Sequence, residues 1–178
     1  SAKEVTITEI NEFNGTNQTV TLKTRVDNVE QALEEHGVDV SESDKINVPV
    51  DSELDKTNNI VITRGKQVTI KNGDAEEVVT VTKADTTDAL VEAGYIPGEY
   101  DEISSNGQSV ADSDTIEIVS VSYEEEKQVT PIEFSVEYID DPSIPKGETR
   151  VVTEGSAGEK TTVYNVEYRN NIEVSRNI

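Results

Sequence analysis

Between Ile139 and Lys160 the chain reads IDDPSIPKGETRVVTEGSAGEK. An acidic pair, Asp140 and Asp141, precedes Pro142; Pro145, Gly147, Gly155 and Gly158 follow. Proline lacks the N–H that a helix needs and glycine costs backbone entropy, so this composition excludes a helix. It equally breaks any long central strand. Strand-like alternation flanks the stretch, with Ile132, Phe134, Val136 and Tyr138 before it and Val163 to Tyr168 after it. Period-two alternation is the mark of a half-buried strand. An extended, turn-punctuated β ribbon with little core is therefore expected here. No catalytic constellation assembles in this stretch or elsewhere in the chain, and the chemistry is that of a binding or spacer module.

Composition points the same way. Of 178 residues, 33% are hydrophobic, with two Phe, six Tyr and no Trp. That is too little apolar material for one large core, and several small units with thin cores are easier to fill. Valine, isoleucine and threonine outweigh leucine, which favours strands. The formal net charge is −22, spread along the chain and not gathered in a tail. Such a field repels nucleic acid and anionic lipid, so neither is an expected partner. There is no cysteine, hence no disulfide framework and no thiolate metal site. There is no methionine either, which marks a processed product or a fragment, with any signal peptide or anchor lying outside it. No apolar run approaches the roughly 18–20 residues of a membrane span.

The first two thirds contain an internal repeat. Asn28-Val29-Glu30-Gln31-Ala32-Leu33 and Gly37 align with Asp85-Thr86-Thr87-Asp88-Ala89-Leu90 and Gly94, at an offset of 57. The leading strands, Val5-Thr6-Ile7 and Val68-Thr69-Ile70, are offset by 63, so the first hairpin carries six extra residues. Each unit reads as strand, turn, strand, short helix, loop and last strand. Asn28 and Asp85 are the expected N-caps, with Gln31 completing a capping box. Gly37 and Gly94 are the expected C′ glycines. Asn72-Gly73 is read as the central pair of the second hairpin turn. Ile60-Val61-Ile62 and Ile116 to Val119 are the expected last strands. One helix of about ten residues on a small mixed sheet is a β-grasp arrangement. The joints, Thr63 to Gln67 and Tyr123 to Glu126, are neither Gly/Ser-rich nor proline-rich, so limited bending and a rod-like shape are expected. The expected fold class is α+β and β: two small β-grasp units over residues 1–65 and 66–122, then an elongated all-β module over 123–178.

Catalysis and metal binding find little support. With 37 acidic residues, carboxylate pairs are inevitable, and Asp140-Asp141 before a proline is better read as a turn. His36 is the single histidine, too few for a nucleophilic triad or a zinc site, and it takes the place of Ala93 on the apolar helix face. Asp112-Ser113-Asp114 lacks the glycine and distal glutamate of a calcium loop. No cofactor, no metal site and no catalytic residue is expected.

Asp141, Pro142, Pro145, Lys146, Gly147, Glu148, Thr149, Val151, Val152, Glu154, Gly155 and Gly158, with the later strand ending at Tyr168, form a long ordered pattern. It resembles the G-five domain, a glycine-marked β module of Gram-positive cell-surface proteins, over roughly Tyr123 to Ile178. Asn170-Asn171 stands where that family usually has a turn with glycine, and such domains normally continue for another strand, so the module is expected to be incomplete at its C-terminus. The two units before it, with Ala32-Leu33…Gly37 and Ala89-Leu90…Gly94, resemble the ubiquitin-like repeats that precede the G-five domain in resuscitation-promoting factors and related Firmicute cell-wall proteins.

The resemblance implies a non-catalytic stalk and binding region of a secreted, wall-associated protein. It implies contact with peptidoglycan or another N-acetylglucosamine-containing surface glycan, with any wall-cleaving domain a separate module. Tyr138, Tyr164 and Tyr168 with Arg150 and Arg169 are the candidates for sugar contact, since aromatic faces stack on sugar rings and arginine supplies planar donors. The plainer reading is that these tyrosines pack across the ribbon as cross-strand pairs. The alternative function is a self-associating adhesin segment joined through an exposed β edge.

Overall fold

Val5 and Ile7 alternate with Thr6 and Thr8 along the first strand, β1 (Lys3–Asn11), and this alternation sets which face of the first sheet is buried. A computed structural model describes residues 1–178 and resolves two compact units, Ser1–Val121 and Ser122–Ile178. β1 pairs antiparallel with β2 (Thr16–Thr24). The chain then forms helix α1 (Val29–Glu35) and the two-residue strand β3 (Lys45–Ile46). It returns as β4 (Thr57–Thr63), parallel to β1 with Ile7 opposite Ile60. The sheet order is β2-β1-β4-β3. Val29, Ala32 and Leu33 on one side of α1 close over Val5, Ile7, Ile60 and Ile62 to make the first core.

The same plan follows. β5 (Lys66–Asn72) and β6 (Ala75–Val81) form a hairpin, α2 (Thr86–Glu92) crosses the sheet, and β7 (Glu102–Ser105) and β8 (Thr115–Val119) complete it. The order is β6-β5-β8-β7, with β5 parallel to β8. Val68, Ile70, Val81, Ala89, Leu90, Val110, Ile116 and Ile118 make the second core. Both sheets are β-grasp sheets with one helix each.

The helices are seven residues long, not ten. Their ends lie where the sequence places them. Asn28 Oδ1 accepts from the Gln31 N–H at 2.9 Å, and Gln31 Oε1 accepts from the Asn28 N–H at 3.3 Å, closing the capping box. Asp85 accepts from the Asp88 N–H at 2.9 Å. Gly37 and Gly94 take positive φ, +66° and +96°, just past the helix ends. A side chain there would strain the left-handed turn that stops each helix. The second hairpin turn differs from expectation by one residue. Asn72 pairs with Ala75, so the central residues are Gly73 and Asp74, and Gly73 alone has positive φ, +63°. Only the first central residue needs the left-handed region, which is where glycine stands.

The last unit is a three-stranded antiparallel sheet, β11-β10-β9, made of β9 (Val121–Ile132), β10 (Gly158–Arg169) and β11 (Ile172–Asn177). Pro131 lies near the end of β9, an outer strand, where a missing N–H is tolerated. Asn170 and Asn171 join β10 to β11 with φ of +49° and +64°, the two-residue turn that needs both centres left-handed. Val166 is the single fully buried residue of this unit. The expected ribbon does not continue through the proline-glycine stretch: no strand is formed between Ile132 and Gly158, so Phe134, Val136 and Tyr138 stand outside the sheet and largely exposed. Two turns occupy the stretch. Asp141 opens one, its carbonyl accepting from the Ile144 N–H and its carboxylate from the N–H and hydroxyl of Ser143. Pro145 to Glu148 forms the other, with Gly147 at φ +91° in the position that favours glycine. Turns at both prolines divert the chain from the ladder, and the alternation alone cannot hold it there. No helix of the chain is long and apolar enough to cross a membrane.

Candidate functional site

Residues Tyr164, Val166 and Tyr168 alternate along β10 and share one face of the last sheet, with Val166, the middle one of the three, fully buried. The guanidinium of Arg176 stands over the Tyr164 ring, 5.2 Å from its centroid. That distance is within the range of a cation–π contact. Arg176 also bonds Glu126 on β9 at 2.7 Å and Glu173 on its own strand at 2.6 Å. The Tyr168 hydroxyl donates to Glu126 Oε1 at 2.8 Å. The face is thus a closed network across all three strands. The Tyr168 and Arg176 hydrogen bonds hold the Glu126 carboxyl below its ordinary range. The same Glu126 carboxylate, by accepting from Tyr168, pushes the Tyr168 phenol up.

Arg176 was not foreseen as part of this face, and the reason lies in a β-bulge. From the turn, Arg169 pairs with Ile172 and Tyr168 with Glu173; beyond the bulge Glu167 pairs with Ser175 and Val166 with Arg176. Val174 is the extra residue. In an unbroken register Arg176 would face away from Tyr164, because a one-residue slip moves every side chain to the other face. The ion pair between Glu173 and Arg176, three apart in one strand, exists only because of that slip.

The five sequence-derived candidates fall into two groups. Tyr164 and Tyr168 lie together, but one ring is covered by Arg176 and the other hydroxyl is engaged by Glu126. Arg169 alternates onto the opposite face, 3.7 Å from Glu167. Tyr138 and Arg150 lie in the irregular segment. Tyr138 is 81% exposed, more open than Tyr100 or Tyr123. Arg150 approaches Asp141 at 3.5 Å while its side chain stays 66% exposed. The geometry therefore separates tyrosines that tie strands together from one whose ring is open.

Nothing elsewhere resembles a reaction centre. No three His, Cys, Asp or Glu side chains are grouped so as to hold a metal ion. An open recess of about 450 Å³ lies beside Lys23, Thr24, Arg25 and Glu35, where the Thr24 hydroxyl donates to Glu35 at 2.7 Å. His36 caps the C-terminal end of α1, half-buried, with Nε2 enclosed and unbonded. Its place on the helix is the structural one expected.

Comparison with known families agrees with this architecture. A family model for the G5 domain matches residues 123–178, and one for the G5-linked ubiquitin-like domain matches residues 17–51. The chain therefore carries a G5-linked ubiquitin-like domain followed by a G5 domain. No curated protein matches the chain. Both matched domains are non-catalytic, and both are typical of bacterial cell-wall-associated proteins.

Proposed function

We propose that this chain, with its ubiquitin-like and G5 domains, is the non-catalytic stalk and glycan-binding region of a secreted bacterial cell-wall protein. The observation that carries this reading is the G5 match over the whole of residues 123–178, a domain proposed to bind glycan. The units at 1–65 and 66–122 serve as the spacer, and the last unit makes the contact. Its ligand is peptidoglycan or another N-acetylglucosamine-containing glycan. Any wall hydrolase positioned by this region is a separate domain.

Within the last unit, Tyr138 and Arg150 are the contact residues, and Tyr164, Tyr168 and Arg169 support the sheet. A sugar ring stacks on an aromatic face only if that face is open, as Tyr138 is and the Arg176-covered ring of Tyr164 is not. Arg150 keeps donors free for hydroxyl or carboxylate oxygens. Titration of the full chain with a soluble N-acetylglucosamine oligosaccharide, followed by calorimetry, tests the assignment. Tyr138→Ala abolishes the heat of binding without altering the unfolding midpoint. Equal binding by Tyr138→Ala and wild type would remove Tyr138 from the site.

A second reading has its own support. Val129 and Ile132 on β9 and Ile172 and Val174 on β11 are all at least half exposed, and β9 and β11 are the outer strands of their sheet. Exposed apolar edge strands are templates for pairing with another chain. On this reading the region self-associates as an adhesin segment. Sedimentation velocity across a concentration series separates the two, because glycan binding needs no self-association.

A further inference from the structure

The hairpin of the first sheet is longer than that of the second by two residues in each strand and two in the turn. The extra length is built as a rigid tip. Asn11 accepts from the Phe13 N–H at 3.0 Å, Asn14 accepts from the Thr16 N–H at 2.9 Å, and Gly15 turns the chain at φ +76°. Phe13 does not pack on the core of its own sheet. It packs against the second core, the one built on Val68, Ile70 and Leu90. Beside it Glu12 pairs with Lys83 at 3.3 Å. On the other side of the joint Lys45 pairs with Glu92 at 3.3 Å, and Glu92 also accepts from the Thr82 N–H at 2.5 Å.

The connection between the sheets is equally constrained. Only Arg64 and Gly65 separate β4 from β5. Arg64 donates to the Asp39 carbonyl at 2.6 Å, to Asp44 at 2.8 Å and to Glu9 at 3.3 Å. Asp44 also accepts from the Gly65 N–H at 3.0 Å. A Cβ on Gly65 would stand 1.7 Å from the Ser43 carbonyl oxygen, so the backbones meet with no room for a side chain. We propose that the lengthened first hairpin is a clasp that locks the two β-grasp units into one cooperative folding body. Phe13 is its tongue and the second core is its socket. The two units then open together and do not bend about Arg64-Gly65 as independent beads. Such a device suits any role in which the chain transmits load or orientation, and it stands apart from the glycan assignment.

The test is hydrogen exchange of the full chain across denaturant concentrations, read separately for β1 and β4 and for β5 and β8. In the wild type both sets of amides open at one midpoint. Phe13→Ser, a change in the first unit, raises opening of the second-core amides at Ile70 and Ile116 about tenfold, from the loss of a partly buried aromatic packed on that core. It also splits the single midpoint into two. Lys83→Glu gives a smaller increase of a few-fold, reversed by adding Glu12→Lys, since an outer ion pair contributes little. Two midpoints in the wild type, or a Phe13→Ser variant whose second-core amides keep wild-type protection, would overturn the clasp.

Discussion

Arg176 reaches the Tyr164 ring because Val174 is an extra residue in β11. Replacing Arg176 by Lys keeps the charge but loses the planar group that spans Tyr164, Glu126 and Glu173, and it lowers the unfolding midpoint of the last unit. Calorimetry on the full chain checks this. Val166 is the only fully enclosed side chain there, so Val166→Ala costs about 1.5–3 kcal/mol, a large share for so thin a core. At the turn, both asparagines are left-handed. Asn171→Gly therefore leaves stability unchanged or raises it, whereas Asn171→Ala costs about 1–2 kcal/mol; chemical denaturation of the two variants distinguishes them. Asparagine at this turn was readable from sequence, because it is the residue after glycine best suited to positive φ. The bulge was not, because a slip in register leaves no trace in residue type.

At the scale of elements, the caps were the most legible features. Asn28, Gln31, Asp85, Gly37 and Gly94 act locally, within one turn of chain, and local hydrogen bonds are what residue identity reports. Asn28→Ala removes the side-chain arm of the capping box on α1, leaving Gln31 bonded to the backbone N–H, and costs about 1 kcal/mol by chemical denaturation. What sequence missed depends on long-range partners. Ile132, Phe134, Val136 and Tyr138 alternate as a strand should, yet β9 stops at Ile132, since turns at Asp141 and Pro145 take the chain away from the ladder. The six extra hairpin residues were counted correctly, but that Phe13 serves another sheet depends on tertiary packing. The joint also carries a pH dependence. Burial pushes the Asp44 carboxyl up, but hydrogen bonds from the Ser41 and Gly65 N–H groups and from Arg64 outweigh it and hold the group below its ordinary range. A lowered carboxyl stabilises the fold fully above its unfolded pKa of about 4, and this contribution fades as pH falls through the folded value. Thermal midpoints measured from about pH 6 down to about pH 2 fall more steeply for wild type than for Asp44→Asn.

At the scale of the whole molecule, composition and repeat were enough to read several small β-rich units in place of one large core. The acidic surface, with formal charge −22, is spread over every unit and fits a partner that is neutral and hydroxylated better than one that is anionic. The candidate contact was only half legible. Sequence identified five residues of suitable chemistry, and chemistry alone does not tell an open ring from one already stacked. Tyr138 and Tyr164 differ in that respect because one lies outside the sheet and the other lies under Arg176. The most direct test is co-sedimentation with purified insoluble peptidoglycan, comparing residues 1–178 with residues 1–122. If the last unit is the wall contact, the full chain pellets and the shorter one stays in solution. If neither pellets at modest salt, or both pellet equally, the wall contact does not reside in the G5 unit.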